Sequence, residues 1–321
     1  MDYPDAWTGL TAPRRGLAMA PRALPVVIRS TGHHRDEVRT RVAKGAARRL
    51  RRGVATDQPA PGALDRRAVE SEHLLHMSAV RERLPRPVFC ERSAALLLGL
   101  WVLDPAPPVH VLQRTHVSSR ARSDTRLRRH LDAVPETDLR TLSTTVVTSV
   151  ERTLVDCART QPERNGIVLA DSAFRLGADR VRVEQILEEL AGARGVRRAR
   201  AVIARADGEI ESPGESVVRY LAESAGLGRP TAQCVVETDH GRFEVDLGWP
   251  ERRVGIEFDG AMKYPTDDVK LARRRMAEDQ VRHDALRRAG WVVIRVSWVQ
   301  LFDEKVLLGR MRQLVLERRA S

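Results

Sequence analysis

The chain has 321 residues, 42% hydrophobic and 31% charged, which is too apolar for a disordered chain and long enough for two or three packed domains. Its 55 Lys and Arg outnumber its 43 Asp and Glu, and the formal net charge of +12 favours an anionic partner such as nucleic acid. Only Lys44, Lys263, Lys270 and Lys305 are lysines, so arginine carries the surplus, a bias that a GC-rich genome also produces. Cys90, Cys157 and Cys234 lie far apart and form no CxxC pair, which argues against a disulfide framework or a cysteine zinc site. The longest uncharged apolar run, residues 93–103, is shorter than the roughly 20 residues that span a bilayer. The opening residues lack a basic-then-apolar signal pattern, so a cytoplasmic protein with no membrane role is expected.

In chain order, Asp36 and Glu37 open a helical stretch, Val38 and Val42 stand four apart, and Gly45 follows Lys44 as a C-terminal stop. Arg48-Arg49-Leu50-Arg51-Arg52-Gly53-Val54 then reads as an arginine-rich hairpin. A short helix running into a basic hairpin is the layout of a winged helix-turn-helix, here expected over residues 1–58. Arg41, Lys44, Arg48, Arg49, Arg51 and Arg52 would be its phosphate contacts. The plainer alternative is a solvated basic face on a small helical domain. Pro59-Ala60-Pro61-Gly62 reads as a linker. The middle domain, 62–207, is α-rich, with helical segments at 148–159 and 182–191 and a strand at 109–112. No catalytic spacing stands out there. His110, His116 and His130 lack metal-ligand spacing and read as structural or surface residues, and Arg197, Arg198 and Arg200 read as a solvated helix face.

The third domain, 209–321, begins with a helix at 215–223 that Ser212-Pro213 introduces. Strands follow at 233–237, 243–247 and 254–259, then a helix at 267–289, a strand at 291–297 and a terminal helix at 303–318. Trp291 and Trp298 read as core residues, and His283 as solvated.

Alternation along the strand at 254–259 puts Val254, Ile256 and Phe258 on one side and Glu257 and Asp259 on the other, about 7 Å apart by backbone rise. On the preceding strand, Glu244 and Asp246 take the polar face, and a hairpin would bring Asp246 near Glu257. Carboxylates crowded on one face repel unless a cation compensates, and hard oxygen donors suit Mg²⁺ or Mn²⁺. For Glu215 the plainer reading is a capping box in which it folds back onto the Ser212 amide. For Glu257 and Asp259 it is the solvated face of an edge strand.

The order of Glu211-Ser212-Pro213-Gly214-Glu215, Val245-Asp246-Leu247-Gly248-Trp249-Pro250-Glu251, Glu257-Phe258-Asp259-Gly260 with Lys263-Tyr264, Asp279 with Arg282 and Asp284, and Gly290-Trp291-Val292-Val293-Ile294-Arg295 resembles the PD-(D/E)XK nuclease fold. The likeness is to its Vsr-like branch, the domain of unknown function 559 family, related to very-short-patch-repair endonucleases. It covers about the last 110 residues. It implies a restriction-endonuclease-like αβββαβ core, metal ligands at Asp246 and Glu257, and catalytic support from Glu215 and Asp259. The N-terminal half is similar to the AbiE-type antitoxin family, in which a winged helix precedes a helical domain and binds promoter DNA. Residues 42–54, 93–100 and 151–156 carry that likeness.

One position departs from the nuclease motif. Where the family has Lys two residues after the Glu, this chain has Asp259. Arginine stays protonated and cannot serve as a base, which leaves Lys263 or Lys270 to stand beside the carboxylates. The expectation is therefore a mixed α/β, DNA-binding protein with an Mg²⁺- or Mn²⁺-dependent DNA endonuclease domain. The alternative is a non-catalytic regulator, or an antitoxin with a toxin partner, that retains a nuclease-like fold.

Overall fold

The computed structural model describes residues 20–30, 32–60, 66–105, 108–113, 124–259, 269–301 and 303–318. They divide into two compact units, one ending at Arg205 and one running from Ala206. Residues on both sides of the expected linker at 59–62 belong to the first unit. Among the described residues the protein is mixed α/β, with eleven helices and three sheets. No helix among them is long and apolar enough to cross a membrane.

In the first unit, β1 (Ile28–Arg29) leads to α1 (Arg35–Ala43) and then to the hairpin of β2 (Arg48–Arg51) and β3 (Val54–Thr56). Asp36 and Glu37 sit in the first turn of α1, where the helix dipole favours negative charge. Gly45 takes φ +72 just after the Lys44 cap, a left-handed stop that costs glycine no Cβ clash. The three strands form an antiparallel sheet in the order β1-β3-β2, with a register shift between Arg49 and Arg51. Leu50 and Val54 of the hairpin pack on Leu75 and Ala79 of α2 (Arg66–Arg81), so the basic hairpin stands on an apolar seam.

A five-stranded sheet follows, ordered β6-β5-β4-β8-β7 from β4 (Val88–Phe89), β5 (Val109–Leu112), β6 (Leu127–His130), β7 (Leu139–Leu142) and β8 (Thr145–Thr148). The β5–β6 and β4–β8 pairs are parallel and the other two antiparallel. Helix α3 (Glu91–Leu97) starts directly after β4, and α4 (Val150–Thr160), α5 (Glu163–Arg175), α6 (Arg180–Glu189) and α7 (Val196–Ala204) complete the unit. Helix α4 is buried from Val150 to Ala158, and its charged residues survive there by pairing, Arg152 Nε donating to Asp156 Oδ2 at 2.8 Å.

In the second unit, α8 (Pro213–Ser224) precedes β9 (Thr231–Thr238), β10 (Gly241–Trp249) and β11 (Val254–Asp259). Helix α9 (Val269–Arg288), β12 (Val292–Ser297), α10 (Trp298–Leu301) and α11 (Glu304–Glu317) follow. The sheet order is β12-β11-β10-β9; β9, β10 and β11 pair antiparallel, and β12 joins parallel to β11. A crossover helix is what a parallel pair requires, and α9 supplies it. Cys234, Val236 and Val245 of the sheet close on Leu286 and Trp291 as the core of this unit. Gly214, in the first turn of α8, lies against the Phe258 ring so closely that any Cβ there would overlap it, which ties the start of α8 to β11.

Candidate functional site

Ser212 Oγ accepts the Glu215 amide at 3.2 Å and Pro213 takes the first helical position, so α8 opens as a capped turn. Glu215 does fold back, but its Oε2 accepts the amide of Glu211 at 2.9 Å rather than that of Ser212, together with Gln233 Nε2 at 3.3 Å. The side chain is buried, and that burial, with the charge of Asp246 next, pushes its carboxyl up to about 7.

Asp246 comes from β10, beside Leu247, which faces Ile256 of β11 across the antiparallel pair. Its Oδ2 accepts the Phe258 amide at 2.7 Å. Burial, and then the charge of Glu257, push Asp246 up to about 6 despite that bond. Three carboxylates from one helix and two neighbouring strands therefore share a poorly solvated region, as the strand alternation predicts for Asp246 and Glu257. Asp259 ends β11, half-buried, with Ser297 opposite it on β12. Lys263 lies outside the described residues, as does the side chain of Lys270.

Glu257 has company that strand patterning cannot reveal. Arg282 of α9 forms an ion pair with its Oε1, and Arg295 Nε of β12 lies 3.4 Å from its Oε2. Arg295 also holds both oxygens of Asp279 at 2.6 Å. The positive charge beside Glu257 is thus supplied by two guanidinium groups of the chain itself. They border a cleft of about 460 Å³ that Glu257, Asp279, His283 and Arg310 also line.

The basic hairpin splits into two sets. Arg48 donates to Glu72 at 2.8 Å and to the carbonyls of Gln58 and Pro59, and Arg51 pairs with Asp124 and the Arg126 carbonyl. Both are thus held by acceptors of the same unit that are distant in sequence and that the sequence pattern does not show. Arg49, Arg52 and Lys44 are exposed, and Arg41 lies 3.9 Å from Asp57. A second cleft, of about 440 Å³, is lined by Arg51, Arg52, Arg83, Arg126 and Arg129 with Asp124. Arg198 and Arg200 also have protein acceptors, the carbonyls of Arg159 and Leu187.

Spacing misses one cluster altogether. Glu91, His110 and His130 each bring a donor atom within 4.8 Å of the others, a group that can hold a metal ion. His110 and His130, which lack ligand spacing in the sequence and read as structural or surface residues, thus stand together in space; His116 lies outside the described residues. Among the described residues, Glu215, Asp246 and Glu257 do not converge this tightly.

No protein-family model matches the chain, and no solved structure does. It is similar to two uncharacterized proteins of Mycobacterium tuberculosis, from strains CDC 1551 / Oshkosh and ATCC 25618 / H37Rv. Each is 27% identical over 160 residues, covering 49% of this chain. The chain spans 57% of the length of each relative.

Proposed function

We propose that this is a DNA-binding protein whose second unit is a Vsr-like PD-(D/E)XK nuclease core that hydrolyses phosphodiesters with Mg²⁺ or Mn²⁺. The observation that carries the reading is the αβββαβ order of that unit, with Asp246 and Glu257 on neighbouring strands and Glu215 on the preceding helix. The donor set fits a hard cation, because burial and a neighbouring carboxylate push both Asp246 and Glu215 toward protonation, a repulsion that a divalent ion would relieve. Asp246 and Glu257 would hold the ion, with Asp259 and Glu215 in support. When bound, Mg²⁺ supplies charge stabilisation at the phosphate and a more acidic water.

The chain's own residues contribute the rest. Glu215, with a carboxyl near 7, can hold or accept a proton at neutral pH. Arg282 and Arg295 stand where a backbone phosphate entering the cleft would meet two guanidinium groups, the fork geometry that suits phosphate. In the first unit, exposed Arg49, Arg52 and Lys44 on a winged helix-turn-helix would neutralise phosphates on the duplex.

A second reading rests on a specific observation: Glu257 is already paired with Arg282 and Arg295, and Asp259 stands in the motif lysine's place. It makes the protein a non-catalytic regulator, or an antitoxin with a toxin partner, that binds DNA through the same surfaces. Plasmid nicking separates the two. Wild type should nick with Mg²⁺ or Mn²⁺ but not with EDTA, and Asp246→Ala and Glu257→Ala should abolish nicking while DNA binding persists. A wild type that binds DNA yet nicks under neither metal establishes the regulator.

A further inference from the structure

The five-stranded sheet of the first unit carries a cluster that the nuclease reading does not use. Glu91 opens α3 straight after β4, and the Cys90 amide donates to the His110 carbonyl at 3.2 Å, which brings the end of β4 alongside β5. His130 comes from β6, the parallel neighbour of β5. Around His110 Nδ1, Glu91 Oε2 lies at 3.1 Å and His130 Nε2 at 3.0 Å, while His130 Nδ1 lies 3.4 Å from Glu91 Oε1. Donors on one tetrahedral zinc ion, at about 2.0–2.1 Å from the metal, would be separated by roughly 3.3 Å.

Three features distinguish this group from an ordinary buried ion pair. First, Glu91 holds φ +46, a left-handed backbone uncommon outside glycine, so the chain accepts strain to aim that carboxylate. Second, His110 is buried and its Nε2 has no hydrogen-bond partner, so every polar contact of that ring is on the Nδ1 side, facing Glu91 and His130. Third, two imidazole nitrogens 3.0 Å apart need either a proton or a cation between their lone pairs. Thr160 Oγ1 donates to Glu91 Oε2 at 3.3 Å, an outer contact of the kind that orients a ligating carboxylate.

We propose that Glu91, His110 and His130 form a transition-metal site of the zinc class, with two imidazoles and one carboxylate as protein ligands and a fourth position left for water or a bound ligand. Two nitrogens and one oxygen select Zn²⁺ or Co²⁺ over Mg²⁺. The rings are stacked with centroids 5.1 Å apart, so binding tilts His130, the most exposed of the three at 15%. The site stands independently of the nuclease reading, whose carboxylates are in the other unit and suit a harder ion.

The test uses the full chain, stripped with a chelator and dialysed, then titrated with Zn²⁺ by calorimetry and with Co²⁺ by visible absorption. One equivalent of Zn²⁺ should bind, millimolar Mg²⁺ should not displace it, and Co²⁺ should give the intense bands of four-coordinate geometry. Glu91→Gln and His130→Ala should each weaken Zn²⁺ binding at least tenfold with unchanged circular dichroism. X-ray absorption of the wild-type zinc form should resolve two imidazoles, a readout that needs no variant to fold. A wild type that binds no Zn²⁺, a zinc shell without imidazole, or a folded Glu91→Gln/His130→Ala double variant with wild-type affinity would overturn the proposal. Nicking plays no part in these outcomes, so failure here leaves the nuclease reading untouched, and the reverse.

Discussion

Replacing Gly214 by alanine tests how closely α8 is joined to the carboxylate strand. An ideal Cβ at 214 would overlap the Cε1, Cζ and Cδ1 atoms of Phe258. That ring cannot simply retreat, because it meets the Trp298 ring edge-on with centroids 5.2 Å apart. Phe258 is flanked by Glu257 and Asp259, and its amide is the donor to Asp246, so a displaced ring disturbs the site as well as the packing. Overpacking of this kind costs about 1–3 kcal/mol. For a unit of this size, each 1 kcal/mol shifts the melting midpoint by about 3–6 °C. Gly214→Ala should therefore lower the midpoint of the second unit by several degrees, read from tryptophan fluorescence in a Trp101→Phe background so that Trp249, Trp291 and Trp298 dominate the signal. The two units need not melt together, so the tryptophan signal is compared with circular dichroism. Phe258→Leu should relieve the clash, making the double variant less destabilised than the sum of the singles. A Gly214→Ala protein that melts with wild type, or strictly additive singles, would refute the claimed contact.

Other expectations follow from the same geometry. Replacing exposed Arg49 and Arg52 by alanine should reduce the log–log salt slope of DNA binding by about 2; Arg48→Ala should instead destabilise the first unit by freeing Glu72, seen as a lower denaturation midpoint. Asp246 and Glu215, at about 6 and about 7 in the folded state, keep protons that the unfolded chain has released by those pH values. Their contribution to stability therefore falls as pH rises from about 4 to about 8 and is flat above, by roughly 3 kcal/mol for either group. Asp246→Asn should flatten this part of the urea-midpoint profile and be more stable than wild type at pH 8 without metal; a profile parallel to wild type would show that Asp246 is not strained by its surroundings. Saturating Mg²⁺ or Mn²⁺, at about 100 times its dissociation constant, should raise wild-type stability by about 2.7 kcal/mol and leave Asp246→Ala unchanged.

Much of the secondary structure was legible from neighbours a few residues apart. The strands at 109–112 and 254–259 have the expected bounds, and the Ser212-Pro213 signal opens a helix one turn of which is capped as its residues dictate. Alternation on β10 and β11 was enough to bring Asp246 and Glu257 toward one another. Such patterns depend on periods of two and of about 3.6 residues, which a linear reading contains in full.

Which partner each side chain meets was decided only in three dimensions. Arg48 and Arg51 look like Arg49 and Arg52 in the sequence, yet only the first two meet the distant acceptors Glu72 and Asp124. Arg282 and Arg295 reach Glu257 only because α9 crosses back to lay β12 parallel to β11. Glu91, His110 and His130 have no motif spacing, since a helix start and two parallel strands gather them. The physical reason is that local propensity acts through bonded neighbours, whereas burial and ion pairing act between whichever surfaces the packed elements press together.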